Sequence, residues 1–186
     1  MAIKIYIDQG HNPENPNAGA EGNGLQEQTI TYRVGQELAD LLRANPDFEV
    51  RLSRPTPTTS LGTSNSTSLR ARVDDANAWG ADYFISLHTN ASSNADASGV
   101  EAFAYSRPSR AFSLGEDIVD NLSETTGFLN RGMKTRPGLY VLRRTNMPAV
   151  LVEMGFISNP SDAALMNNNP VKMDEAALRR MFEGLR

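Results

Sequence analysis

Ala81-Asp-Tyr-Phe-Ile-Ser-Leu-His-Thr-Asn90 decides the fold. From Tyr83 to Leu87 the run is apolar except for Ser86, and it ends in an ionisable residue, His88. A short continuous apolar run bounded by turn residues is expected of a strand covered on both faces, as in a parallel sheet. Two further stretches repeat the arrangement. Ile3–Ile7 alternates apolar and polar residues and leads into Asp8-Gln9-Gly10-His11, and Ala149–Val152 ends in Glu153. In open α/β sheets the crevice beyond the carboxyl ends of the strands is where ligands bind. Both histidines of the chain, and an acid, are delivered to that place.

Working outward, strands are expected at Ile3–Ile7, Phe48–Leu52, Tyr83–Leu87, Val100–Tyr105, Leu139–Leu142 and Ala149–Val152. Helices are expected over Leu25–Arg43, from near Thr67 to Trp79, over Ser109–Thr126, Asp162–Asn168 and Val171–Leu185. Ile30, Val34, Leu38 and Leu41 form the apolar stripe of the first helix, at helical spacing. A serine or threonine near Thr67 caps the second, whose inner face is Leu69, Val73, Ala76 and Trp79, and Gly80 stops it. His11–Gly24, Pro55–Ser66 and Asn90–Ser98 read as polar loops. Alternating strands and helices predict an α/β fold: a single, mainly parallel, twisted sheet of about six strands with helices on both faces. Residues 1–186 make one domain, with no repeat or linker.

Composition narrows the function. A net charge of −4 offers no basic footprint for nucleic acid. The absence of cysteine removes thiolate metal sites, cysteine nucleophiles and a disulfide scaffold. No apolar run approaches the length of about 18 residues that spans a membrane. Met1–Asp8 alternates like a strand and is not a secretory signal.

Glu27 joins the strand-end residues as a candidate. It falls on the helix face of Ile30, Val34, Leu38 and Leu41, where an unpaired carboxylate pays a desolvation cost. It is either an acid favoured by the helix dipole or a metal ligand. His11 and His88 are either hydrogen-bonded histidines or nitrogen ligands, and two His with one Glu are a common hydrolytic zinc set with a position left for water. Glu153 is either salt-bridged to Arg143 or Arg144, or a general base and acid. Asp8 either supports a ligating histidine or satisfies loop amides. Asn90 and Arg143 are candidate substrate contacts, Arg143 as a clamp. Glu14, Glu21 and Glu101 are reserve carboxylates, with Glu101 the ligand if Glu27 is not.

These residues resemble the zinc-dependent N-acetylmuramoyl-L-alanine amidases of the bacterial cell wall, of the amidase-3 type. Ile5-Tyr-Ile-Asp-Gln-Gly-His11 is similar to the family's opening strand and first histidine, and Glu27 stands where the family has its ligand glutamate. Leu69-Arg-Ala-Arg72 through Asn77, Ala81–Asn90 and Gly99-Val-Glu101 resemble its second helix and next two strands. Leu139-Tyr-Val-Leu-Arg143 and Met147–Asn159 resemble the stretch with the catalytic glutamate. Asn12-Pro13 departs from the family's usual glycine after the first histidine. The loop Pro55–Ser68 is long and rich in Ser and Thr.

The resemblance implies one Zn²⁺ per chain on His11, Glu27 and His88, with Glu153 moving protons. It implies hydrolysis of the amide between N-acetylmuramic acid and L-alanine in peptidoglycan or muropeptides. The expected protein is a monomer without a wall-binding module, acting on the wall outside the cytoplasm. It is either an excised domain or one released by lysis or a signal-independent route. The alternatives are a zinc carboxypeptidase-like peptidase and a non-catalytic peptidoglycan-binding module.

Overall fold

The computed structural model describes residues 2–168. The helix expected over 171–185 lies outside them. Six strands make one sheet: β1 (Ile3–Gln9), β4 (Phe48–Leu52), β5 (Tyr83–Asn90), β6 (Val100–Ala104), β7 (Asn130–Thr135) and β8 (Ala149–Phe156), in the order β4-β1-β5-β8-β6-β7. β4, β1, β5 and β8 run parallel, whereas β6 is antiparallel to β8 and carries β7 parallel to itself. The α/β class and the mainly parallel sheet are as expected. β2 (Glu21–Gly22) and β3 (Leu25–Gln26) form a separate two-stranded hairpin.

Helices α1 (Glu27–Arg43) and α3 (Arg110–Thr126) cover one face, over Ile5, Ile7, Ile85, Leu87, Val150 and Val152. Helices α2 (Asn65–Trp79) and α4 (Tyr140–Arg144) cover the other, over Tyr6, Phe84, Phe103 and Leu151. Helix α5 (Pro160–Asn168) follows β8. Strand periodicity therefore sends Asp8, Ser86, His88, Glu153 and Glu101 to the α2 side. Among the described residues no helix is long and apolar enough to cross a membrane.

The chain leaves β1 toward β4 and leaves β5 toward β6, in opposite directions across the sheet. The carboxyl ends of β1 and β5 thus flank the topological switch point, where such sheets open a crevice.

Four expectations need correction. Leu139–Leu142 is not a strand. Its Val141 and Leu142 are buried as part of α4, an apolar run too short for its period to distinguish helix from strand. The sixth strand is instead β7, whose polar sequence gives no strand signal. Helix α1 starts at Glu27, because Leu25 and Gln26 pair with Gly22 and Glu21. Its stripe ends on Leu42, buried, whereas Leu41 is exposed. β5 and β8 also run past His88 and Glu153, with Asn90 paired to Phe156 beyond a bulge. The two ionisable residues are therefore inside their strands, near the ends.

Candidate metal centre and its acid

Loop, helix and strand bring three candidate ligands together. His11 follows β1, Glu27 is the first residue of α1, and His88 is on β5. Glu27 Oε2 lies 3.2 Å from His11 Nε2, and its Oε1 lies 3.0 Å from His88 Nδ1. The two rings meet edge to face, 4.9 Å between centroids. Candidate ligand atoms from all three residues fall within 4.8 Å of one another. Bonds of about 2.0–2.1 Å around a tetrahedral zinc place ligand atoms roughly 3.3 Å apart, close to these separations.

Glu27 is held in place from two sides. Its Oε2 accepts the Ala20 N–H at 2.9 Å and its Oε1 the Thr89 N–H at 3.0 Å, while its own backbone N–H donates to Ala20 O at 2.9 Å. The residue is 3% exposed. Burial pushes its carboxyl up, but the hydrogen bonds and charge of the two imidazoles outweigh burial and hold it well below the carboxylate range. His88 moves the other way: burial opposes its protonation, yet Glu27 foremost, with Glu153 and Asp8, raises it.

Glu153 sits across from His88 in the β5–β8 register, one strand spacing of about 4.8 Å away. Its Oε2 is buried without a hydrogen-bond partner. Burial, then the charges of Glu27 and Glu101 against that of His88, push it up to about 7. A carboxyl raised toward neutrality, with one oxygen buried and without a partner, can exchange a proton near pH 7. Arg143 and Arg144 do not reach it. They belong to α4, and Arg143 lines a cavity with Tyr105, Met147, Pro148 and Ala149 at the start of β8, the opposite end of the strand. The structure therefore leaves Arg143 out of the site.

Asp8 touches neither imidazole. Its carboxylate accepts Arg72 Nη1 at 2.6 Å and Ser86 Oγ at 2.7 Å. Burial raises its carboxyl, but Arg72 and Ser86 outweigh burial and leave it lowered. Asn90 is at the site edge, with Nδ2 donating to Glu101 Oε1 at 2.8 Å. Glu101 is on β6 beside Glu153, in register with it and apart from the ligand cluster. Its partners are Asn90, Arg131 and Lys134.

Sequence reasoning missed two arginines that hold the first ligand loop. Arg72 Nη2 donates to His11 O at 2.6 Å and its Nη1 to Gln9 O at 2.7 Å. Arg54 Nη1 donates to His11 O at 3.3 Å and to Gln28 O at 3.1 Å, tying that loop to the first turn of α1. Both arginines are buried. The signals were present: Arg72 lies between Leu69 and Ala76 on the inner face of α2, and Arg54 follows the end of β4 by two residues, much as His11 follows β1.

The zinc expected of this site fits the donor set. His11, Glu27 and His88 present two nitrogens and a carboxylate on one point, and two of the buried side-chain atoms without partners, His11 Nδ1 and Glu153 Oε2, belong to its rim.

Comparison with known proteins agrees. A family model described as N-acetylmuramoyl-L-alanine amidase matches residues 5–181. The chain is 36% identical over 169 residues to N-acetylmuramoyl-L-alanine amidase CwlM of Bacillus licheniformis, covering 90% of this chain and 62% of that one. It is also 36% identical over 165 residues to the sporulation-specific N-acetylmuramoyl-L-alanine amidase of Bacillus subtilis, covering 87% and 59%. The chain thus spans about 60% of the length of these relatives. The crystal structure of an N-acetylmuramoyl-L-alanine amidase from Clostridium difficile superposes with a TM-score of 0.83 at 27% identity, over 99% of this chain and 95% of that one.

Proposed function

Since the chain belongs to the N-acetylmuramoyl-L-alanine amidase family, we propose that it hydrolyses the amide between N-acetylmuramic acid and L-alanine in peptidoglycan, as a single catalytic domain acting on the wall outside the cytoplasm. One zinc per chain is held by His11, Glu27 and His88. The observation that carries the reading is the meeting of these three side chains with a carboxyl, one strand away, whose buried Oε2 has no hydrogen-bond partner.

A zinc ion in this place supplies a Lewis acid for the amide carbonyl and acidity for the attacking water. Glu153 does the rest of the proton work. Its open Oε2 takes a proton from the water as the C–O bond forms. It then delivers that proton to the nitrogen of L-alanine as the C–N bond breaks, so the amine leaves neutral. Glu27 keeps both imidazoles turned inward through one carboxylate. Arg72 and Arg54 fix the carbonyl of His11 and so the direction of its ring. Asn90 belongs to the substrate side of the cleft through its bond to Glu101.

Glu153→Gln tests the assignment, since it keeps the shape and removes the base. The variant is expected to bind one equivalent of zinc, as the parent does, and to lose about 10² to 10⁴ in rate. Elemental analysis and mass spectrometry of digested peptidoglycan read both quantities. Normal turnover by the variant removes Glu153 from the mechanism. Products cut elsewhere than at the muramoyl–alanine amide remove the substrate assignment.

A further inference from the structure

One strand outward from Glu153 lies an ion cluster that the hydrolysis itself leaves unused. Glu101 is 6% exposed and faces Glu153 in register. Its Oε1 accepts Asn90 Nδ2, while its Oε2 accepts Arg131 Nε at 3.2 Å and the Lys134 ammonium. Arg131 is further fixed by a bond from Nη1 to Ser98 O at 3.2 Å and by stacking over Phe156, 5.1 Å from the ring centroid. Arg136, exposed, lies over the ring of Phe103, two residues along β6 from Glu101. Three cations thus share this flank with two carboxylates, Glu101 and Glu153, an excess of positive charge in a chain of net charge −4. One cation suffices to neutralise Glu101. The side chains of Arg131 and Lys134 stay 34% and 44% exposed, with donors left over.

The other flank differs. Residues 55–68 carry no charge and are rich in Ser and Thr. They are joined to the His11 loop through Asn12, whose Nδ2 donates to Leu61 O and whose Oδ1 accepts the Leu61 N–H, each at 3.0 Å.

We infer that Arg131 and Lys134 bind a free carboxylate on the stem-peptide residue that follows L-alanine, with the peptide arm across β6 and β7 and the sugar arm across residues 55–68. This rests on the amidase reading. The two arms differ in charge in the same sense as the two flanks. The lactyl acid of the sugar is tied up in the amide that is cut, so free carboxylates belong to the peptide. The reach also agrees. β7 lies two strands beyond β8, roughly 10 Å, and an extended peptide advances about 3.4 Å per residue. A carboxylate one residue past alanine therefore stops one to two strand spacings from the cut bond, within reach of side chains as long as Lys and Arg. Glu101 holds both cations in the bound geometry beforehand, which lowers the ordering cost of binding.

The test uses the zinc-loaded enzyme and N-acetylmuramoyl tripeptides that differ only in a carboxylate or a carboxamide on the second residue. The parent is expected to favour the carboxylate in kcat/KM by about tenfold or more, the range of a charge-assisted hydrogen bond. The ratio is expected to shrink with salt. Lys134→Gln and Arg131→Gln bring it toward one, Lys134→Arg retains it, and Lys134→Glu reverses it. Equal rates for the two substrates in the parent, or a ratio unmoved by the variants, overturn the inference and leave the amidase standing. Absence of cleavage of both substrates by the zinc-loaded parent overturns the amidase reading and this inference with it.

Discussion

Gly10 shows how little room the ligand set has. A Cβ there would lie 2.5 Å from Leu87 O and 2.6 Å from His88 Cε1. The first neighbour is backbone and cannot step aside, and the second belongs to a ligand. Gly10→Ala is therefore expected to push β1 and β5 apart locally and to turn His88, lowering zinc affinity by about tenfold or more, the range seen when support for a ligand is lost. Titration of the metal-free variant with zinc reads this, and an unchanged affinity removes the steric argument. Most of this site was legible residue by residue. His11, His88 and Glu153 stand near strand ends, and Glu27 interrupts an apolar stripe, so each violates the pattern around it. Arg54 and Arg72 violate theirs equally, but a lone arginine on a helix or after a strand reads as solvated until its burial is known. Arg143 failed for the converse reason: proximity in sequence to β8 says nothing of which end of the strand it meets.

Elements were legible where the apolar pattern was long and obscure where it was short or polar. β7 reads Asn-Arg-Gly-Met-Lys-Thr, and at the sheet's edge only Met133 packs against the core. Nothing local demands a strand; pairing with β6 supplies it. The reversal of β6 follows from chain length. Nine residues, 91–99, separate β5 from β6 (99 − 91 + 1), fewer than the dozen or so a parallel crossover needs. Helix α2 was placed correctly, but its cap is Ser64. Ser64 Oγ accepts the Thr67 N–H at 3.2 Å while Thr67 Oγ1 accepts the Ser64 N–H at 2.9 Å. Both residues of this reciprocal pair precede the apolar pattern, so the pattern alone starts the helix late. Ser64→Ala is expected to cost about 0.5–2 kcal/mol of stability, read as a shift in denaturant midpoint with unchanged slope. No shift means the second turn holds the helix by itself.

At the scale of the whole molecule, buried charge ties the sheet to both the site and the pH response. Asp8 and Arg72 pair at 2.6 Å with side chains 2% and 1% exposed, and the Asp8 carboxyl is lowered in the fold. A carboxyl lowered on folding stabilises the protein above its ordinary range, near 3.9, and that stabilisation is lost as pH falls through the folded value. Tm is thus expected to drop steeply in acid. Asp8→Asn is expected to flatten that drop while costing about 3–5 kcal/mol near neutrality, because it leaves Arg72 buried beside no anion. An Asp8→Asn variant that keeps the parent's acid profile places the acid response elsewhere. The same guanidinium group, with that of Arg54, grips the carbonyl of His11 by bonds that need no ion. The mould is therefore set before the casting. On the zinc reading proposed above, a chain stripped by a chelator is expected to keep its fold and to return to service on resupply without passing through the unfolded state.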